Sequence, residues 1–122
     1  MSRIVHFEIP ADDPERAIQF YESVFGWRIE KWEGPIEYWL IMTGPEDEPG
    51  IDGGLARRED PATTLENFID TKDLDASLKA VTAQGGVIIR PKMTVPGVGW
   101  LAYIKDTEGN IFGLMERDQD AA

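Results

Sequence analysis

Cysteine is absent from the 122 residues, and histidine occurs once. Without cysteine there are no disulfides, no thiolate metal sites and no cysteine nucleophile. Basic residues are scarce: 12 Lys and Arg face 23 Asp and Glu, for a net charge of -11. A phosphate backbone is repelled by that field, and no basic stripe offsets it, so nucleic acid is not an expected partner. No apolar run approaches the ~18 residues of a membrane helix. The opening MSRIVHFEIP carries no apolar signal region, so a cytoplasmic location and no membrane partner are expected. No G-x-S-x-G stands anywhere, and VPGVGW (95–100) lacks the GK[ST] of a phosphate loop.

What is present is a repeat. Asp13 and Asp73 lie 60 residues apart, as do Gly26 and Gly86. In the first half, RIVHFEIP alternates like a strand, with Ile4, His6 and Glu8 on one side and Val5, Phe7 and Ile9 on the other. Asp13 before Pro14 reads as a helix N-cap. The helix ERAIQFYESVF is predicted to turn Ala17, Phe20, Tyr21, Val24 and Phe25 inward, and Gly26 to end it. In the second half TLENFIDT is a strand, Asp73 a cap, and LDASLKAVTAQ a helix stopped by Gly85 and Gly86. Three strand-like runs follow each helix: WRIEKWE, EYWLIMT and IDGGLAR, then GVIIRP, GWLAYIKD and NIFGLMER. The turn DTEGN joins the last two. The pattern is βαβββ twice, an α+β domain over 3–117 made of modules 3–58 and 64–117, with an acidic tail 118–122 read as a solvated end.

HFEIP-AD-DPERAIQFYESVFGW at the opening and KDTEGNIFGLMER at the close resemble the vicinal oxygen chelate superfamily of glyoxalases, extradiol dioxygenases, epimerases and bleomycin-resistance proteins. The resemblance implies curved mixed sheets around a central cavity, a small-molecule ligand and a homodimer. It implies four metal ligands in the metal-dependent members, two from the first strands of the modules and two from the last. Seven residues before the capping aspartates stand His6 and Glu66; four residues after the turn glycine Gly109 stands Gly113, whose counterpart is Gly54. Glycine offers no side-chain donor, so a divalent metal, if present, has His6 and Glu66, with Glu8 on the face of His6 as a further candidate, where catalytic sites use about three protein ligands. Glu116 is three residues past Gly113, on the opposite face by strand period.

The expectation is therefore a small organic molecule bound in a concave apolar pocket, without an intact catalytic metal site and with no required cofactor. The alternative is a divalent-metal-dependent lyase, isomerase or dioxygenase. His6 and Glu66, at equivalent strand positions, are the candidate catalytic pair, a carboxylate beside an imidazole. Gly54 and Gly113 either clear volume for a ligand or mark bulges and sheet curvature. Tyr38, Trp39, Met42 and Trp100 are the candidate lining. Alternation sets Tyr38, Leu40 and Met42 against Trp39 and Ile41, and leaves open which set faces the ligand. Arg57 and Arg58 are candidates for an anion clamp or for plain solvent-exposed charge. The overall acidity suits a cationic or neutral ligand.

Overall fold

The computed structural model describes all 122 residues, in eight strands and two helices. They divide into two compact units, His6–Leu65 and a second built from Glu66–Ala122 with Met1–Val5. The two units meet in sequence near residue 65, and the first strand is shared between them. Its opening residues join the second unit, where the Asp70 N–H donates to the Arg3 carbonyl at 2.9 Å. No helix is long and apolar enough to cross a membrane.

In the first unit, β1 (Ile4–Ala11) leads to α1 (Pro14–Phe25), then β2 (Arg28–Lys31), β3 (Trp39–Met42) and β4 (Gly53–Arg57). The sheet order is β2-β3-β4-β1, with β4 parallel to β1 and the other pairs antiparallel. Asp13 caps α1 as expected, its carboxylate accepting from the Arg16 N–H, and Gly26 closes it at φ 71°. The core is Ile9, Ala11, Ile41 and Leu55, packed by Ala17, Ile18 and Tyr21 from the helix. The predicted inward stripe of α1 is only half right. Phe20, Val24 and Phe25 remain more than half exposed. Their rings associate sideways instead, Phe20 edge-on to Tyr21 at 5.3 Å and Phe25 against Trp27 at 5.5 Å.

The second unit repeats the plan: β5 (Glu66–Asp70), α2 (Leu74–Ala83), β6 (Val87–Val95), β7 (Gly99–Lys105) and β8 (Ile111–Arg117), in the order β5-β8-β7-β6. Strands β5 and β8 are parallel; the others are antiparallel. Asp73 caps α2 through the Ala76 N–H at 3.0 Å. Leu74 and Leu78 bury themselves on Ala102, Ile104 and Leu114, and a fully buried leucine such as Leu74 is worth about 1.5–3 kcal/mol. The strand read as GVIIRP runs on to Val95, through Pro91. An edge strand tolerates proline because its outward amides need no partner. The reading of 118–122 as a solvated end is corrected: Ala121 is buried, and its carbonyl accepts from the Gly97 N–H at 3.0 Å. The turn after β6 therefore gains a partner from the tail.

Candidate functional site

Each sheet has one face covered by its own helix, and the registers assign residues to faces. In the first unit Trp39 pairs with Leu55 and Ile41 with Gly53, and Trp39 packs on the core beside Ile9 and Ile41. Tyr38, Leu40 and Met42 consequently lie on the helix-free side, with His6, Glu8 and Gly54. Alternation left open which set meets the helix; the pairing puts Trp39 on the helix side, and Tyr38 and Met42 opposite it. Trp100 is placed in the same way: it packs against the Leu74–Ala102 core, with the Lys92 ammonium 5.1 Å from its ring centre.

The helix-free face of the first unit holds a specific constellation. His6 Nε2 and the Tyr38 hydroxyl are 2.8 Å apart. The same hydroxyl sits directly over Gly54, in the space a Cβ there would occupy. Trp32 stands edge-on to Tyr38 with ring centres 6.1 Å apart. Of the predicted residues, His6, Tyr38, Gly54 and Met42 are thus brought to one face. The link between His6 and Tyr38, 32 residues apart, had no signal in a strand-by-strand reading.

The helix-free face of the second unit carries Glu66, Phe68 and Gly113. Phe68 pairs with Gly113, and its ring covers the direction a side chain at 113 would take. Phe68 meets Tyr103 edge-on at 5.9 Å. Burial pushes the Glu66 carboxyl above its usual range, and Arg90 opposes that shift with a weaker pull downwards. Glu116 lies on the helix side, where its carboxylate accepts from the Leu74 N–H at 2.8 Å. Neither arginine of the expected clamp is uncommitted. Arg57 pairs with Glu37 at 3.1 Å; Arg58 donates to the Pro10 carbonyl at 3.2 Å and lies 3.6 Å from Asp12. No group of three or more His, Asp or Glu side chains is placed to share one metal ion.

The glyoxalase/bleomycin resistance protein/dioxygenase superfamily model matches residues 3–114. The chain belongs to this superfamily. A glyoxylase-like domain-containing protein of Didymella fabae is 32% identical over 120 residues, covering 94% of both chains. A lactoylglutathione lyase of Arabidopsis thaliana is 31% identical over 126 residues, and the match takes in 94% of this chain but only 44% of that protein. The fold is also that of a methylmalonyl-CoA epimerase from Mycobacterium tuberculosis, with a TM-score of 0.71, 16% identity, and coverage of 94% of this chain and 87% of the other. As a superfamily member the chain combines its expected α+β plan with glycine at both last-strand positions, Gly54 and Gly113.

Proposed function

We propose that this superfamily member binds a small organic molecule on the helix-free side of its sheets, with no divalent metal among the contacts. Within the first unit His6 and Tyr38 are the polar contacts, with Met42 as apolar lining; Glu66 is a separate candidate contact on the second unit taken by itself. The observation that carries the reading is the seat of Tyr38 over Gly54. A carboxylate at position 54 would need the space the phenol fills, and the His6 nitrogen is engaged by that phenol rather than presented as a lone pair to a cation. Phe68 fills the matching space at Gly113. The residues present do not fit a four-ligand divalent site. A hydroxyl and an imidazole in hydrogen-bond contact suit a ligand oxygen, which they can orient and polarise.

Metal analysis after equilibration with Zn, Ni, Mn or Fe salts tests this directly. Metal well below one ion per chain is expected. Stoichiometric metal that disappears in His6→Ala overturns the reading. Tryptophan fluorescence, reporting through Trp32, screens aromatic cations, thiol adducts and antibiotics as ligands, and a ligand response should weaken in Tyr38→Phe.

The second reading is a divalent-metal lyase, isomerase or dioxygenase. It is favoured by the lactoylglutathione lyase and the epimerase named among the similar proteins. Turnover of the glutathione–methylglyoxal adduct or of methylmalonyl-CoA that requires added metal would support it. A homodimer belongs to the same proposal, supported by the exposed apolar patch of Phe20, Val24 and Phe25. Light scattering should then give twice the 13.7 kDa chain mass.

A further inference from the structure

Strand β6 departs from regular pairing around Arg90. Its register against β7 slips between Ile88 and Arg90 and again between Arg90 and Met93. Such irregularities re-aim side chains. Here Arg90 stands opposite Tyr103, with its guanidinium carbon 5.6 Å from the centre of that ring. No hydrogen bond or ion pair engages this guanidinium, whereas Arg28, Arg57, Arg58 and Arg117 each lie beside a carboxylate. Glu66 feels Arg90 but does not close on it to form an ion pair. A cation with five donors is thus held over an aromatic ring, with its fork unused.

Its surroundings describe what would use that fork. Tyr103 and Leu101 of β7 and Met115 of β8 share this face and are only partly buried. A planar guanidinium matches a carboxylate in two parallel hydrogen bonds, and the ring behind it supports the cation without competing for its N–H groups. One guanidinium balances one negative charge. A dianion would be opposed by the Glu66 carboxylate and by the net charge of -11. We propose that Arg90 is an anion anchor that binds the carboxylate of a small monocarboxylic acid, whose apolar body lies against Tyr103, Leu101 and Met115. This rests on the small-molecule reading and concerns the second unit by itself. It departs from the expectation of a cationic or neutral ligand, because the local charge at Arg90 is opposite to that of the whole chain.

Backbone amide chemical-shift titrations with benzoate, its uncharged isostere benzamide, and benzylammonium test the proposal. Saturable benzoate shifts in the millimolar range, centred on residues 88–92 and 101–103, are expected. Benzamide and benzylammonium should bind about tenfold more weakly. Arg90→Gln should abolish the preference for benzoate, and Arg90→Lys should retain only part of it, because the charge survives and the fork does not. Both variants lie on an exposed edge strand, and an unchanged amide spectrum away from β6 and β7 confirms their fold. Benzoate binding that survives Arg90→Gln overturns the proposal. So does benzamide or benzylammonium binding as tightly as benzoate on these faces, which leaves the small-molecule reading standing. If none of the probes shifts amides in β6 or β7, Arg90 is no anchor, and a silent fluorescence screen beside that result removes the small-molecule reading too.

Discussion

The hydroxyl of Tyr38 occupies the space into which a side chain at position 54 would grow, and it reaches His6 from there. Gly54 and Tyr38 are therefore one steric unit, and the response to added methyls should follow what each glycine faces. Gly54 meets the hydroxyl end of a side chain, which must turn and lose its bond to His6 to make room, whereas backbone cannot turn. Gly54→Ala should cost only about 1 kcal/mol. Gly113 meets the ring of Phe68, which is buried and cannot leave, so Gly113→Ala should cost about 2–3 kcal/mol. Gly53 meets the Phe7 carbonyl at 2.5 Å, a backbone atom fixed by its own strand. Gly53→Ala should be the worst of the three, at about 3 kcal/mol or more. Urea denaturation of the three variants gives the order. A Tyr38→Ala background should remove the penalty at 54 and leave those at 53 and 113 unchanged.

Glu66 predicts a pH dependence. Its folded carboxyl titrates above the ordinary 4.5 because burial disfavours the charge. Between that ordinary value and the raised one, the folded chain holds a proton that the unfolded chain has released. Stability therefore falls as pH rises through this window and stays reduced above it. Glu66→Gln removes the charge at every pH. Its urea midpoint should exceed the wild type's at about pH 7.5 and converge with it near about pH 4. A variant less stable at both pH values would show that the carboxylate makes a favourable contact.

Much of this architecture is legible in the chain because local chemistry repeats. Asp13 and Asp73 cap helices in both halves, and Gly26 takes the left-handed stop that its place after Phe25 requires. The faces were not legible. Period two separates Tyr38 from Trp39 but cannot say which of them meets α1; that follows only from the pairing of Trp39 with Leu55. Nor could it find Arg90, because the register slips that aim its side chain break the very alternation used to read the strand. The inward stripe of α1 failed at Phe20 and Phe25 because aromatic residues pack on one another at the surface, and nothing in the structure explains the exposure of Val24.

The DTEGN turn is held by one side chain. Asp106 accepts from the Glu108 and Asn110 N–H groups at 2.8 Å each and from the Asn110 side-chain amide at 3.0 Å. These bonds, those of Asn110 foremost, hold its carboxyl below the usual range. A depressed folded value means stability that is present above the unfolded value and lost as pH falls through the folded one. Asp106→Ala should lower the melting temperature at neutral pH, and the difference from wild type should shrink in acid. A constant difference across pH would assign the loss to turn propensity rather than to charge.

Glu116 separates a structural carboxylate from a functional one. It stands three residues past Gly113, yet it faces α2 and accepts from the N–H of fully buried Leu74. Asp73 already serves the Ala76 amide, so without Glu116 the Leu74 donor has no partner and no access to water. Leaving a buried donor unmet costs about 1–3 kcal/mol, and that is the expected loss for Glu116→Ala. Glu116→Gln keeps an acceptor in place and gives up only the attraction of a negative charge to the helix N-terminus, about 0.3–1 kcal/mol. Neither variant should alter metal content or benzoate binding, because the sheet lies between Glu116 and the face that carries Gly113 and Arg90. Urea denaturation gives the stabilities, and the amide titration repeated on Glu116→Gln gives the binding. A large loss of benzoate affinity in that variant, with stability near wild type, would place Glu116 in the site and undo the assignment of faces on which the functional reading stands.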